Sequence, residues 1–236
     1  MPFSLNLGTR RLQFRWPFLV LTLAGCALFT TLGFWQWGRG VHREQEWAAF
    51  GQAAKAPPLA VTADRLEQLP RHSRVRIEGR YDVQHQFLLD NITRDGKPGY
   101  GILTPFELED GRVVLVDRGW VAFKGYRDRL PDVSMAEGPA RSLEGRLADL
   151  PVPGLASGRV TPAKSGDWPR VTAFPRSEDL AEALGKPVLK PILVVSGDDR
   201  PPGIEPAKHF SYAIQWWSFA GLALVLFVLL NIEKRR

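Results

Sequence analysis

The chain has 236 residues, with 31 Lys+Arg against 25 Asp+Glu, a formal net charge of +6 and a single cysteine. That length suits one ordinary domain with something added, and excludes two full enzyme domains. One cysteine excludes a disulfide framework and any cysteine-based zinc cluster.

From Trp16 to Gly38, 23 consecutive residues carry no formal charge, and Phe210 to Ile232 supply another 23. As helices these segments are each ~35 Å long, enough to cross a ~30 Å hydrocarbon core. The expected organisation is a tail over 1–15, transmembrane helix 1 over 16–38, a domain over 39–208, transmembrane helix 2 over 209–232, and a tail over 233–236. Six of the 31 bases and one of the 25 acids lie on the tails, which leaves 25 bases against 24 acids on the long segment between the spans. Short basic tails stay in the cytoplasm, whereas long loops translocate largely regardless of charge. Both termini are therefore expected in the cytoplasm and the central domain in the periplasm, as a multi-pass protein of a bacterial inner membrane. The basic balance reports topology and gives no support for nucleic-acid binding.

Leu23-Ala24-Gly25-Cys26 has the look of a lipoprotein cleavage box, but the apolar run continues past Cys26 through Trp37. Small residues that permit close helix packing are the preferred reading. Arg10-Arg11 lacks the residues that follow in a twin-arginine signal, so the first span reads as an uncleaved signal anchor.

Beyond it, Val41 to Ala54 continues as helix, with Trp47 and Phe50 at helical spacing, until Pro57-Pro58 ends it. Thr62 is placed to cap a short helix that ends before Pro70. The period then changes to two: Val75, Ile77 and Tyr81 alternate with Arg74, Arg76, Glu78 and Arg80. Phe87-Leu88-Leu89 is a second strand, followed by the turn Arg94-Asp95-Gly96. Tyr100–Leu108 and Arg112–Asp117 form a hairpin around Glu109-Asp110-Gly111. The unbroken run Val113–Val116 predicts a strand buried on both faces, leading Trp120 into the core. Leu143–Leu147 is a strand, Pro151–Pro169 a long surface loop, and Val171–Phe174 a strand. Ser177 is placed to cap a helix ending at Gly185, and Ile192–Val195 closes the sheet. The segment between the spans holds 17 of 19 prolines and 17 of 22 glycines, which suits short strands and tight turns. The fold class is membrane α+β: two transmembrane helices bracket a mainly antiparallel β domain with a few short helices.

Chemistry-bearing motifs are few. None of His42, His72, His85 and His209 stands in an HExxH or HxH spacing. No GxSxG elbow, P-loop or GxGxxG fingerprint occurs, and the lone cysteine lies in a span. Asp117-Arg118 reads either as an acid/base pair or as a structural strand end; the structural reading is favoured.

The informative constellation is at one membrane edge. Lys208-His209 stands at the outer end of the second span, and Tyr212, Ala213 and Trp216 share a helix face with His209. The first span brings Trp35, Gln36, Trp37, Arg39, His42 and Arg43 to the same leaflet. An interfacial belt of aromatic and snorkelling basic residues accounts for this composition. The competing reading is a site for a flat apolar ligand with anionic groups. A haem has that form: imidazole binds iron, aromatic rings flank the macrocycle, and bases meet the propionates.

These residues also carry a resemblance. Leu32-Gly33-Phe34-Trp35-Gln36-Trp37-Gly38-Arg39 resembles the LGxWQxxR signature of the surfeit locus protein one family, the cytochrome c oxidase assembly factors. Arg74–Tyr81, Gly99-Tyr100 with Leu103–Phe106, Val114–Val121 and Lys208–Trp217 resemble further blocks of that family, in the same order. Members often carry Asn where Asp117 stands, and a more aromatic stretch near Asp167-Trp168-Pro169-Arg170. The resemblance implies a non-enzymatic factor acting on subunit I of haem-copper oxidase, receiving or presenting haem A, with contacts to lipid and to the haem A synthesis machinery. It assigns the haem histidine to His209. Depth along the spans adds Tyr212, Trp216, Trp35 and Gln36 as candidates around the ring, and Arg39, Arg43 and Lys208, at the outer water boundary, as candidates for the propionates. His42 is a weaker candidate for a second axial ligand. A membrane scaffold that stabilises oxidase intermediates without binding haem is the alternative.

Overall fold

A computed structural model of the chain describes residues 3–7, 10–126, 129–139, 141–152, 167–195, 201 and 203–234. In chain order the elements are β1 (Phe3–Leu7), β2 (Arg10–Phe14), α1 (Trp16–Lys55), β3 (Leu59–Ala60), α2 (Ala63–Leu66), β4 (Arg74–Tyr81), β5 (Phe87–Arg94) and β6 (Lys97–Leu108). They continue with β7 (Val113–Ala122), β8 (Arg141–Ala148), β9 (Arg170–Thr172), α3 (Ser177–Leu184), β10 (Val188–Val194), α4 (Pro206–Asn231) and β11 (Ile232–Lys234). The chain divides into two compact units, Met1–Ala49 with Pro201–Arg236, and Phe50–Arg200.

In the first unit α1 and α4 are long and apolar enough to cross a membrane. α1 runs 40 residues without interruption and stops just before Pro57-Pro58, whose rings cannot supply the N–H groups of a further turn. β1 and β2 form an antiparallel hairpin, and β11 adds to β2 with Ile232 opposite Leu12 and Lys234 opposite Arg10. The segments read from charge as plain tails therefore pair with each other. The alternation Phe3-Ser4-Leu5-Asn6-Leu7 carries the period-two signal for this, which the charge pattern overshadowed.

The second unit is built on a barrel. Its strands run β4-β8-β10-β7-β6, and β4 pairs with β6 to close the ring. β3 extends β4, while β5 and then β9 extend β6. Pairing is mainly antiparallel, with β10–β7, β3–β4 and β5–β9 parallel. Closure depends on Gly79, which faces Leu108. A Cβ there would run into the Glu107 carbonyl and lie 2.7 Å from the Phe106 ring. The β5–β6 hairpin turns on Asp95 and Gly96 at φ 48° and 75°, the doubly left-handed geometry that matches the twist of a two-residue hairpin.

Val113–Val116 is buried on both faces, as its unbroken apolar run implies. Successive side chains point to opposite faces. Val114 and Val116 therefore join Val75, Ile77, Phe106 and Leu193 inside the barrel. Val113 and Leu115 pack outside it with Phe87, Leu103, Ile192 and Leu180 of α3.

Four local expectations are corrected. Trp120 is half-buried and lies outside the buried clusters. Asp117 pairs with Leu103 and Gly119 with Ile102, so Arg118 is the extra residue of a bulge. Beyond that bulge the Trp120 ring rests where a Cβ on Gly99 would be, and its Nε1–H donates to the Ile92 carbonyl at 2.8 Å. Ser177 is the first residue of α3 rather than its cap. The cap is Arg176, whose backbone N–H and guanidinium both donate to the Asp179 carboxylate. Thr62 occupies the cap position of α2 but its side chain makes no capping bond. β9 stops at Thr172, and Phe174 stands at φ 51°. Residues 153–166 of the expected loop lie outside the described residues.

Candidate functional site

α1 and α4 pack antiparallel, because each step up α1 meets an earlier residue of α4. Cys26 donates its S–H to the Ala220 carbonyl, Phe29 stacks on Trp216 at 5.8 Å, and Trp37 lies 4.8 Å from Phe210. Two glycines one heptad apart make this approach possible. A Cβ on Gly33 would overlap the Trp217 indole, and one on Gly40 would come within 2.6 Å of the Phe210 ring. Small residues opposite large rings are how helices approach closely where lipid supplies no hydrophobic drive.

Two polar side chains meet within this seam. His209 is 9% exposed, and its Nδ1 lies 2.9 Å from Gln36 Oε1. His209, Ala213 and Ala220 form the buried stripe of α4. The structure thus brings His209 and Gln36 into direct contact. Trp216 sits on the same stripe, about two turns along, against Phe29. Tyr212 is 50% exposed on the flank of the stripe, and Trp35 is 55% exposed on α1.

The bases differ in their engagement. The Arg39 guanidinium lies 5.7 Å over the Trp35 ring and is exposed, as is Lys208. Arg43 donates to Glu46 at 2.5 Å and fills the space beside Gly203, where a Cβ would stand 2.8 Å from its Nη1. Gly203 also has φ 80°, a conformation that favours glycine. His42 is exposed and lies 3.5 Å from Glu46. Arg39 and Lys208 are therefore exposed bases at this edge, whereas Arg43 is engaged by Glu46. Phe29, Phe34 and Trp217 complete the aromatic seam and were not singled out by the sequence. The signal for them was the Gly33/Gly40 spacing, which marks where a partner's rings must fit.

In the β unit, Arg118 donates from Nη1 to Gln86 Oε1 at 2.7 Å, Thr104 Oγ1 at 3.2 Å and the Val133 carbonyl at 3.2 Å. Asp117 accepts the Gly119 N–H at 2.8 Å. These contacts tie strands and a loop together, which favours the structural reading of Asp117-Arg118. Displaced ionisations here also have structural partners. Hydrogen bonds from Arg112 hold the Asp110 carboxyl below its ordinary range, and those from Arg176 do the same for Asp179. Burial pushes the Tyr81 phenol up. Among the described residues, no group of three or more His, Cys, Asp or Glu side chains is placed to hold a metal ion.

Comparison with known proteins points one way. The model of the SURF1 family matches residues 23–221. A SURF1-like protein of Rickettsia felis is 31% identical over 43% of this chain, an alignment spanning 45% of that relative. An uncharacterised SURF1-like protein of Mycobacterium bovis is 26% identical over 88% of this chain and 80% of its own length. A SURF1-like protein of Rickettsia conorii is 25% identical over 89% and 88%. The match covers most of both apolar helices and the whole barrel segment between them in sequence, including Gln36 and His209, and on that extent the chain belongs to the SURF1 family.

Proposed function

We propose that this protein is a non-enzymatic assembly factor for haem-copper cytochrome c oxidase, which receives or presents haem A for insertion into subunit I. The observation that carries this reading is the contact between two polar side chains in the α1–α4 seam, His209 to Gln36. Metal-ligating histidines donate their other ring N–H to an acceptor, and His209 is arranged in that way. Arg39 and Lys208 bracket the same edge and suit propionates, while Trp35, Trp216 and Tyr212 offer ring surface. A haem brought here supplies an iron that takes an imidazole nitrogen. The chain contributes that nitrogen, an apolar seat and a basic rim. Partners on this reading are oxidase subunit I, the haem A synthesis machinery and lipid.

Replacing His209 with Ala is the test. The variant and its parent are purified in detergent from cells that make haem A. The parent is expected to carry haem with a defined Soret band, and His209→Ala to carry at least tenfold less. Equal haem content with unshifted bands would refute ligation by His209. A parent without haem would favour a scaffold role.

The orientation follows from the charge asymmetry of the tails, with the barrel in the periplasm of a bacterial inner membrane and both termini cytoplasmic. Alkaline phosphatase, active only outside the cytoplasm, is expected to be active when fused after Gly154 and inactive when fused after Arg236. The opposite pattern would invert the assignment.

A further inference from the structure

Gln36 and His209 meet within a seam otherwise made of aromatic rings and small residues. A side-chain amide oxygen accepts and cannot donate, so the proton between it and Nδ1 belongs to the imidazole. The lone pair of the neutral ring is then on Nε2. Neutral histidine in water favours the other form, with the proton on Nε2, which would leave no free lone pair there for a metal. Gln36 stands on α1 and His209 on α4, so the contact also ties the chemistry of one helix to the placement of the other.

We propose that Gln36 is the positioning residue of this site: it holds His209 in the Nδ1–H tautomer, keeps the lone pair on Nε2, and so sets the strength of the axial bond to iron. This rests on His209 as the haem ligand. A hydrogen bond that only joined two helices would serve equally with the amide turned over and its NH2 donating to Nδ1, so the lock depends on the orientation that presents Oε1 to the ring. The two roles are therefore separable by experiment.

The full chain is labelled with 15N-histidine and examined by NMR in detergent micelles without haem. It has four histidines, and His209 is identified by its loss in His209→Ala. The neutral His209 ring is expected as Nδ1–H in the parent and in Gln36→Glu, which keeps an acceptor of the same reach. It is expected to revert to Nε2–H in Gln36→Leu. An Nε2–H ring in the parent, or an unchanged tautomer in Gln36→Leu, would overturn the lock.

Haem titration of the same variants reads the second half. Outer-shell partners of ligating histidines are worth about 10–100-fold in metal affinity, and a loss of that size is expected for Gln36→Leu. Gln36→Glu is expected to bind haem with shifted absorption bands and a lower iron reduction potential, because a carboxylate draws the Nδ1 proton and strengthens the donor. Equal affinity in Gln36→Leu and the parent would overturn the positioning role. A parent that binds no haem fails the ligand reading and takes the bond-strength half of this proposal with it, while the tautomer spectrum still decides the lock.

Discussion

Phe106→Ala is expected to destabilise the barrel by about 3–5 kcal/mol, the range for truncating a buried aromatic. Phe106 is 0% exposed, stands beside the β4–β6 closure, and meets Tyr81 edge-on at 5.1 Å. Its ring also covers Gly79, so truncation opens a cavity where the two strands come closest. For a unit of this size the loss corresponds to a fall in Tm of roughly 6–20 °C. Thermal melting of the full chain in detergent, followed by the β-sheet circular dichroism signal, reads it directly. An unchanged transition would remove Phe106 from the barrel core.

The second large effect is expected at Arg118. Arg118→Leu removes the donor shared by Gln86, Thr104 and the Val133 carbonyl. Gln86 and Thr104 are buried, so water cannot easily replace the lost partner. Thr104 Oγ1 still donates to Gln86 Oε1 at 3.1 Å, so the pair keeps one bond between its members. Hydrogen bonds to a charged donor contribute about 1.5–3 kcal/mol, and a cost in that range is expected. Arg118→Lys should recover only part of it, because all three bonds come from Nη1, which the shorter lysine stem does not reach. Chemical denaturation of the three proteins gives the ranking. Equal stabilities for the parent and Arg118→Leu would show that the bulge, and not its side chain, organises this corner.

Much of the architecture was legible in the residues because it follows from local patterns. Two 23-residue uncharged runs, the alternation from Val75 to Tyr81, and the solid apolar run Val113–Val116 each state a burial requirement that only one kind of element meets. Trp120 was misplaced because the burial of a strand end depends on register. The bulge at Arg118 is set by pairing with β6 and leaves no mark in the alternation. Barrel closure was likewise invisible, since the contact of Gly79 with β6 joins positions nearly thirty residues apart.

The candidate site divides along the same line. By itself the sequence determined that His209, Gln36, Trp35, Arg39 and Lys208 lie at one end of two apolar helices, because charge boundaries and helical rise fix depth along a span. Only the tertiary structure decided which of them touch. Rotation of each helix about its axis is set by side-chain packing, here by Gly33 against Trp217 and Gly40 against Phe210. That rotation turns His209 inward to Gln36 and leaves Tyr212 on the flank. Depth is a one-dimensional property that composition encodes, whereas the facing of two helices is a property of their shared surface and exists only once they are packed.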